Sequence, residues 1–169
     1  MVMKLETICA MGYTRRWHTS PVLREQTLAD HSAQVALLAM WLVRELEITA
    51  GEKSDLLHYA LLHDAHETSF GDLPYPMKRE MKTRGIDLDA ACMELFWGWD
   101  LEARFAPFAV KVVCMADRLE AALFARRWAP ELADETMEVA LRVAEAEFGD
   151  GSQLSNTILN RVRAALGVF

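Results

Sequence analysis

Apolar positions recur at helical intervals along most of the chain, and the alternation of Val, Ile and Thr that marks half-buried strands is missing. Ala, Leu, Met and Glu, all strong helix formers, dominate instead. The pattern predicts a short helix over about residues 3–11, stopped by Gly12, and then an aperiodic polar and aromatic stretch from Tyr13 to Pro21. A long helix is expected from about Thr27 to Leu46, with Asp30 and His31 in its first turns. Gly51 should break the chain, and Ser54 is a credible N-cap for a helix reaching about Thr68. Gly71 to Pro76 reads as a loop, because two prolines one residue apart do not sit inside a helix. A short basic helical segment, Met77 to Thr83, follows and ends near Gly85. Asp87 or Asp89 can cap the next helix, which extends to Trp97. Ala106 to Trp128 is the second long helix, with Pro107 tolerated in its first turn. Pro130 separates it from a helix over 131–148, and Ser155 opens a last one that ends before Gly167. No repeat and no second domain is evident, so the expectation is one all-α domain over residues 1–169.

Composition narrows the class. With 169 residues, 52% of them hydrophobic and 25% charged, the chain can bury a real core and is no disordered or low-complexity polymer. The net charge is -7, which disfavours a nucleic-acid polymer or an anionic membrane surface as partner. Most of that charge has one source. Residues 131–150 carry Glu131, Asp134, Glu135, Glu138, Glu145, Glu147 and Asp150 against a single Arg142. Leu132, Met137, Val139, Ala140, Leu141, Val143, Ala144 and Phe148 give the same segment an apolar side, so its carboxylates are expected to face water. Cys9, Cys92 and Cys114 are odd in number, far apart and set in apolar sequence, and read as buried thiols in a reducing compartment. The longest apolar run, Val35 to Val43, has nine residues, too few to cross a bilayer. The N-terminus has no signal-peptide h-region, so a cytoplasmic location is expected.

The candidate chemistry lies in three places. Leu61-Leu62-His63-Asp64-Ala65-His66-Glu67 puts ionisable groups directly after an apolar turn, with His63 and Glu67 four apart and so expected on one helix face. His31 starts the other long helix in a similar setting. Asp117 is enclosed by Val112-Val113-Cys114-Met115-Ala116 and Arg118-Leu119, and is either paired with Arg118 or a metal ligand. Two imidazoles and two carboxylates from three helices suit an open site for one divalent ion: Mn, Fe, Co, Mg or Zn. His66 is ambiguous, and His58 reads as structural or exposed. Arg79, Lys82 and Arg84 read as solvated, and His18 could simply bond a loop carbonyl.

His31, the His63-Asp64 pair and Asp117 resemble the H…HD…D signature of the HD-domain metal-dependent phosphohydrolases. The wider pattern His63-Asp64-x-x-Glu67-x-x-x-Gly71-Asp72-x-Pro74-x-Pro76-x-Lys78, with Arg16-Trp17 upstream, resembles the 5'-deoxynucleotidase-like branch. Arg15-Arg16-Trp17-His18-Thr19-x-Pro21 and the compact spacing from His63 to Asp117 look most like the small phage dATP triphosphohydrolases. The resemblance covers about residues 12–125 and implies a compact HD-domain helical bundle. It implies that His31, His63, Asp64 and Asp117 hold the metal. Glu67 would be a general acid/base or orient the attacking water. Asp72 would bind the sugar hydroxyl or assist proton transfer. Arg16 would grip phosphate, Trp17 would pack on the deoxyribose and reject a 2'-hydroxyl, and Lys78 would serve the phosphate chain. His18, Thr19 and Pro76 complete the implied substrate contacts, and base selectivity is expected near Trp17, Thr19, Pro74 and Pro76.

Two enzyme readings follow. A triphosphohydrolase would cleave dATP to deoxyadenosine and triphosphate, and a 5'-deoxynucleotidase would break the same P–O5' bond in a monophosphate. The phage-like pattern and the cations His18, Lys78 and Arg79 favour the first. A non-catalytic metal-binding helical regulator stays open, and a hydrolase of cyclic nucleotides or (p)ppGpp has less support. Phe96, Trp97, Trp99, Phe105, Phe108, Phe124 and Trp128 suggest more aromatic surface than so small a body buries, hence a homo-oligomer, dimer or hexamer.

Overall fold

In a computed structural model of the protein, residues 5–87, 91 and 104–168 are described. The helix expected to reach Trp97, Cys92, and the aromatics Phe96, Trp97 and Trp99 lie outside those residues. The elements are α1 (Leu5–Ala10), β1 (Arg15–Arg16), β2 (Gln26–Thr27), α2 (Leu28–Leu42), α3 (Ala50–Leu62), a 3-10 segment Ala65–Ser69, and α4 (Tyr75–Thr83). Beyond these come α5 (Pro107–Trp128), a 3-10 turn Pro130–Leu132, α6 (Ala133–Phe148) and α7 (Gln153–Leu166).

Helix α5 is the axis of the bundle. Val112, Val113, Met115, Ala116, Leu119 and Ala122 are fully buried along it. It packs on α2, α3 and α6, and the core they share includes Val35, Ala39 and Leu42 of α2 and Leu56 and Ala60 of α3. Alanines at these contacts let the helix axes come close. Helix α6 buries Ala140, Ala144 and Phe148, and α7 closes the core with Ile158, Val162 and Leu166. All seven acidic residues of 131–150 are exposed, as their spacing foretold. Among the described residues no helix is long and apolar enough to cross a membrane.

Several boundaries differ from expectation for local reasons. Thr49, not Ser54, caps α3: its Oγ1 accepts from Glu52 N–H while Glu52 accepts from Thr49 N–H, so Gly51 sits inside the first turn. Helix α2 stops at Leu42, and the chain turns at Glu45, whose φ is 62°. Pro76 is in a helix, not a loop. Pro74 is the N-cap of α4 and Pro76 stands in its first turn, where no N–H is needed. Ser152 rather than Ser155 caps α7, its hydroxyl accepting from Ser155 N–H. The chain also forms a two-stranded antiparallel pair that the pattern did not predict, with Arg15 opposite Thr27 and Arg16 opposite Gln26. Two residues per strand carry no readable period.

Cys9 and Cys114 are exposed, contrary to the buried reading. Position 114 on α5 falls between buried neighbours in sequence but on the outward side of the helix. The aromatics also differ from expectation. Phe124 is buried, and Phe105, Phe108 and Trp128 are half-buried, so none of the four described members of the set is fully exposed.

Candidate active site

Three helices deliver the four expected ligands to one point. The capping box of α2, in which Thr27 and Asp30 exchange hydrogen bonds, fixes the first turn that carries His31. His63 is the C-cap of α3, and Asp64 follows it at φ −103°, where the α-helix gives way to the 3-10 segment. Asp117 projects from the middle of α5. His31 Nε2 lies 3.4 Å from Asp64 Oδ2 and 3.3 Å from Asp117 Oδ1, and His63 Nε2 is 3.3 Å from Asp64 Oδ2. One ligand atom from each of the four falls within 4.8 Å of all the others.

The donor set fits a divalent cation. Both imidazole Nε2 atoms are buried without a hydrogen-bond partner, and their Nδ1 atoms are engaged elsewhere. His63 Nδ1 is 2.8 Å from Ala60 O, and His31 Nδ1 is 2.7 Å from Glu120 Oε2. This is how ligating histidines are oriented, with one nitrogen tied to the protein and the other aimed at the ion. The local field also demands positive charge. Burial and the Arg16 guanidinium oppose charge on His31, but Asp117, Asp64 and Glu120 outweigh both and push it up to about 10. Burial pushes His63 down. Asp64 and Asp117 are held low despite burial, the first chiefly by His63 and His31, the second by Arg118 and His31.

The break after Leu62 corrects one expectation. His63 and Glu67 do not stack on a continuing α-helix. In the 3-10 segment Glu67 N–H bonds Asp64 O at 2.9 Å, and residues three apart align. Asp64 and Glu67 thereby face the same cavity, while His66 stays buried with its Nδ1 3.1 Å from His63 O.

That cavity, about 410 Å³, opens onto Asp64 and Asp117. Arg16, Trp17, Thr19, Pro76 and Lys78 line it, as do Glu67 and Asp72. His18 is exposed and outside its lining, and so is Arg79. His58, Lys82 and Arg84 are exposed as well, the last two paired with Asp87 and Glu80. Arg16 is half-buried, with its Nε and Nη1 atoms shielded from solvent and without a hydrogen-bond partner, and Nη1 stands 3.8 Å from Asp64. Burial works against its charge, but Asp64, Asp117 and Glu120 raise its pKa nonetheless. Glu67 accepts from Lys78 Nζ at 2.6 Å through Oε1, and its buried Oε2 has no partner. Burial, reinforced by Asp64 and opposed by Lys78, pushes Glu67 up to about 8. Trp17 adopts φ 60°, a strained position for a bulky residue. Its backbone N–H reaches Asp72 Oδ2 at 3.3 Å, and its ring stacks on Phe124 at 5.5 Å and 15°.

Sequence reasoning missed part of the wall. Arg118 and Ala121 line the cavity from α5, Leu132 from the 3-10 turn, and Glu135, Thr136 and Val139 from the start of α6. It also missed Glu120 and Gln26, the buried partners behind His31 and Trp17. Only Glu120 had a sequence signal: it is a charged residue one turn after Asp117 in an apolar run.

Two imidazoles and two carboxylates converging from three helices beside a buried acid define a metal-dependent phosphohydrolase centre of the HD type. The family model for 5'-deoxynucleotidase YfbR-like proteins matches residues 5–89, and the chain belongs to that family. Its fold is shared by a solved structure, the cyanophage S-2L HD phosphohydrolase DatZ bound to dA and one catalytic Zn2+ ion. That protein is 21% identical, with a TM-score of 0.75 over 99% of this chain and 98% of the other. No curated protein matches the chain.

Proposed function

We propose that the protein hydrolyses the 5'-phosphate ester of 2'-deoxyribonucleotides, with dATP converted to deoxyadenosine and triphosphate as its leading reaction. The observation that carries this is the cavity itself. It joins a fixed indole, a buried guanidinium with unpartnered donors and two ion-ligand carboxylates in a space large enough for a small ligand. The DatZ structure, which holds dA beside its Zn2+ ion, supports a deoxyadenosine substrate.

A divalent ion held by His31, His63, Asp64 and Asp117 would neutralise phosphoryl charge and acidify water. The chain's own groups do the rest. Arg16 and Lys78 meet the phosphate oxygens, with Arg118 in the role first expected of His18 and Arg79. Water attacks the α-phosphorus, the P–O5' bond breaks and O5' takes up a proton. Glu67 Oε2, buried and unpartnered, is where a proton is accepted or held during that exchange. Asp72 fixes the backbone of Trp17, whose ring leaves a 2'-hydroxyl neither room nor partner. Thr19, Pro74 and Pro76 form the wall against the base.

The second reading, a 5'-deoxynucleotidase acting on monophosphates, draws on the family description and on Lys78, which is engaged by Glu67. Turnover of dATP, dAMP, dGTP and ATP with separation of products tests both. Triphosphate from dATP and little action on ATP is the expected result; phosphate from dAMP with none from dATP would sink it.

The same reading includes a cytoplasmic homo-oligomer, dimer or hexamer. Leu5, Leu23 and Leu37, each more than two-thirds exposed, support it. Sedimentation at micromolar concentration should give more than a monomer's mass; a monomer discards this part.

A further inference from the structure

Gln26 and Glu120 belong neither to the cavity lining nor to the ion ligands, yet hydrogen bonds join them to both. The Trp17 indole N–H donates to Gln26 Oε1 at 3.0 Å. The Gln26 amide nitrogen donates to Glu120 Oε1 at 2.6 Å. Glu120 Oε2 lies 2.7 Å from His31 Nδ1. Gln26 is 3% exposed and Glu120 2%, and the two bonds that Glu120 accepts are buried away from water.

Each bond has a fixed direction. An indole nitrogen only donates and a carboxylate only accepts, which sets the orientation of the Gln26 amide and puts the His31 proton on Nδ1. His31 Nε2 is thereby the nitrogen that faces the ion seat. Backbone placement makes the chain of bonds possible. Strand β2 pairs Gln26 with Arg16, the residue before Trp17. Helix α5 carries Asp117, Glu120 and Phe124 at successive turns, so one face presents an ion ligand, the partner of His31 and the ring stacked on Trp17.

We propose that Gln26 and Glu120 are positioning residues that link Trp17 to the ion ligand His31, so that filling the ion seat and setting the indole are one coupled event. This rests on the functional reading above in taking Trp17 as the sugar wall, but the link itself needs no substrate. Occupation of the seat fixes the His31 ring, and the hydrogen bonds carry that order to the indole.

Bond direction supplies the test. In Glu120→Gln the new amide oxygen can accept from His31, but its NH2 then meets the NH2 of Gln26. Turning Gln26 over sets its NH2 against the indole N–H instead. One link is lost either way. Adding Gln26→Glu repairs the chain, since the carboxylate introduced at 26 accepts from both the indole and the amide at 120. The readout is the 15N-indole resonance of Trp17, identified by its loss in Trp17→Phe, during titration with Zn2+ alone. Zn2+ affinity is measured in parallel by competition with a chromophoric chelator, and folding by circular dichroism. Zn2+ should move the wild-type resonance. The movement should shrink at least about threefold in Gln26→Leu and Glu120→Gln, with Zn2+ affinity in the latter falling about 10–100-fold. The double variant Gln26→Glu/Glu120→Gln should recover the indole response. An unchanged response in both single variants, or no recovery in a folded double variant, overturns the proposal. Failure to hydrolyse deoxynucleotides would leave this titration untouched, so the two readings fail separately.

Discussion

Asp64→Ala is expected to remove both bound ion and activity. Asp64 Oδ2 lies within 3.4 Å of His31 Nε2 and 3.3 Å of His63 Nε2, so it is the ligand that ties the two imidazoles together. It is also the carboxylate facing Arg16 at 3.8 Å. Its loss leaves two imidazole donors and one carboxylate, with the nearest counter-charge of the Arg16 guanidinium gone, a set that holds a divalent ion poorly. Activity should fall by at least about 10²–10³-fold, the scale of losing one electrostatic contact in a water-poor site. Metal content after gel filtration should fall with it, while circular dichroism confirms the helical fold. Hydrolysis retained in a metal-free Asp64→Ala protein would refute the assigned site.

Glu67→Gln is expected to leave the ion bound and lower kcat/KM by about 10²–10⁴-fold, the range for a positioned acid or base. The pH dependence separates this from a mere loss of packing. Glu67 is raised to about 8 by burial and Asp64 against the pull of Lys78. A bound cation favours the carboxylate and draws that value down, so its limb should fall at or below about pH 8. A base works deprotonated, so wild-type kcat/KM should climb with pH through that limb, and the variant should lack it. Stability of the ion-free protein has the opposite sign. A carboxyl raised on folding from its ordinary 4.5 to about 8 contributes fully below about pH 4.5 and loses that contribution as pH approaches 8. In chelator, wild-type Tm should therefore drop more than that of Glu67→Gln as pH rises from about 5 to 8. All other ionisable side chains are common to both proteins, so the difference reports on position 67. Identical profiles would remove Glu67 from proton transfer.

Long elements were readable because their periodicity is long. Helix α5 begins at Pro107 and ends at Trp128, as its pattern implied, and Gly167 at φ 76° closes α7. Caps were less readable. Thr49 and Ser54 both suit the role, and only the reciprocal bond with Glu52 separates them. The break at Leu62 was invisible, since His63 to Ser69 suits an α-helix as well as the tighter 3-10 form. That break redirected Glu67 from the His63 side to the cavity and left His66 against the backbone.

By itself, the sequence determined the helical class and the four groups of the ion seat, His31, His63, Asp64 and Asp117, whereas Glu67, Asp72, Arg16 and Trp17 came into view through the family resemblance. The four stand out because ionisable groups set in apolar helix sequence have few stable fates besides pairing or coordination. The tertiary structure alone decided what surrounds them. Arg118 rather than His18 borders the cavity, the acidic helix supplies its far wall, and Gln26 is joined to Glu120 across 94 positions of sequence. Such partners follow from which helix faces meet, and a local pattern records a face's polarity but not what it meets.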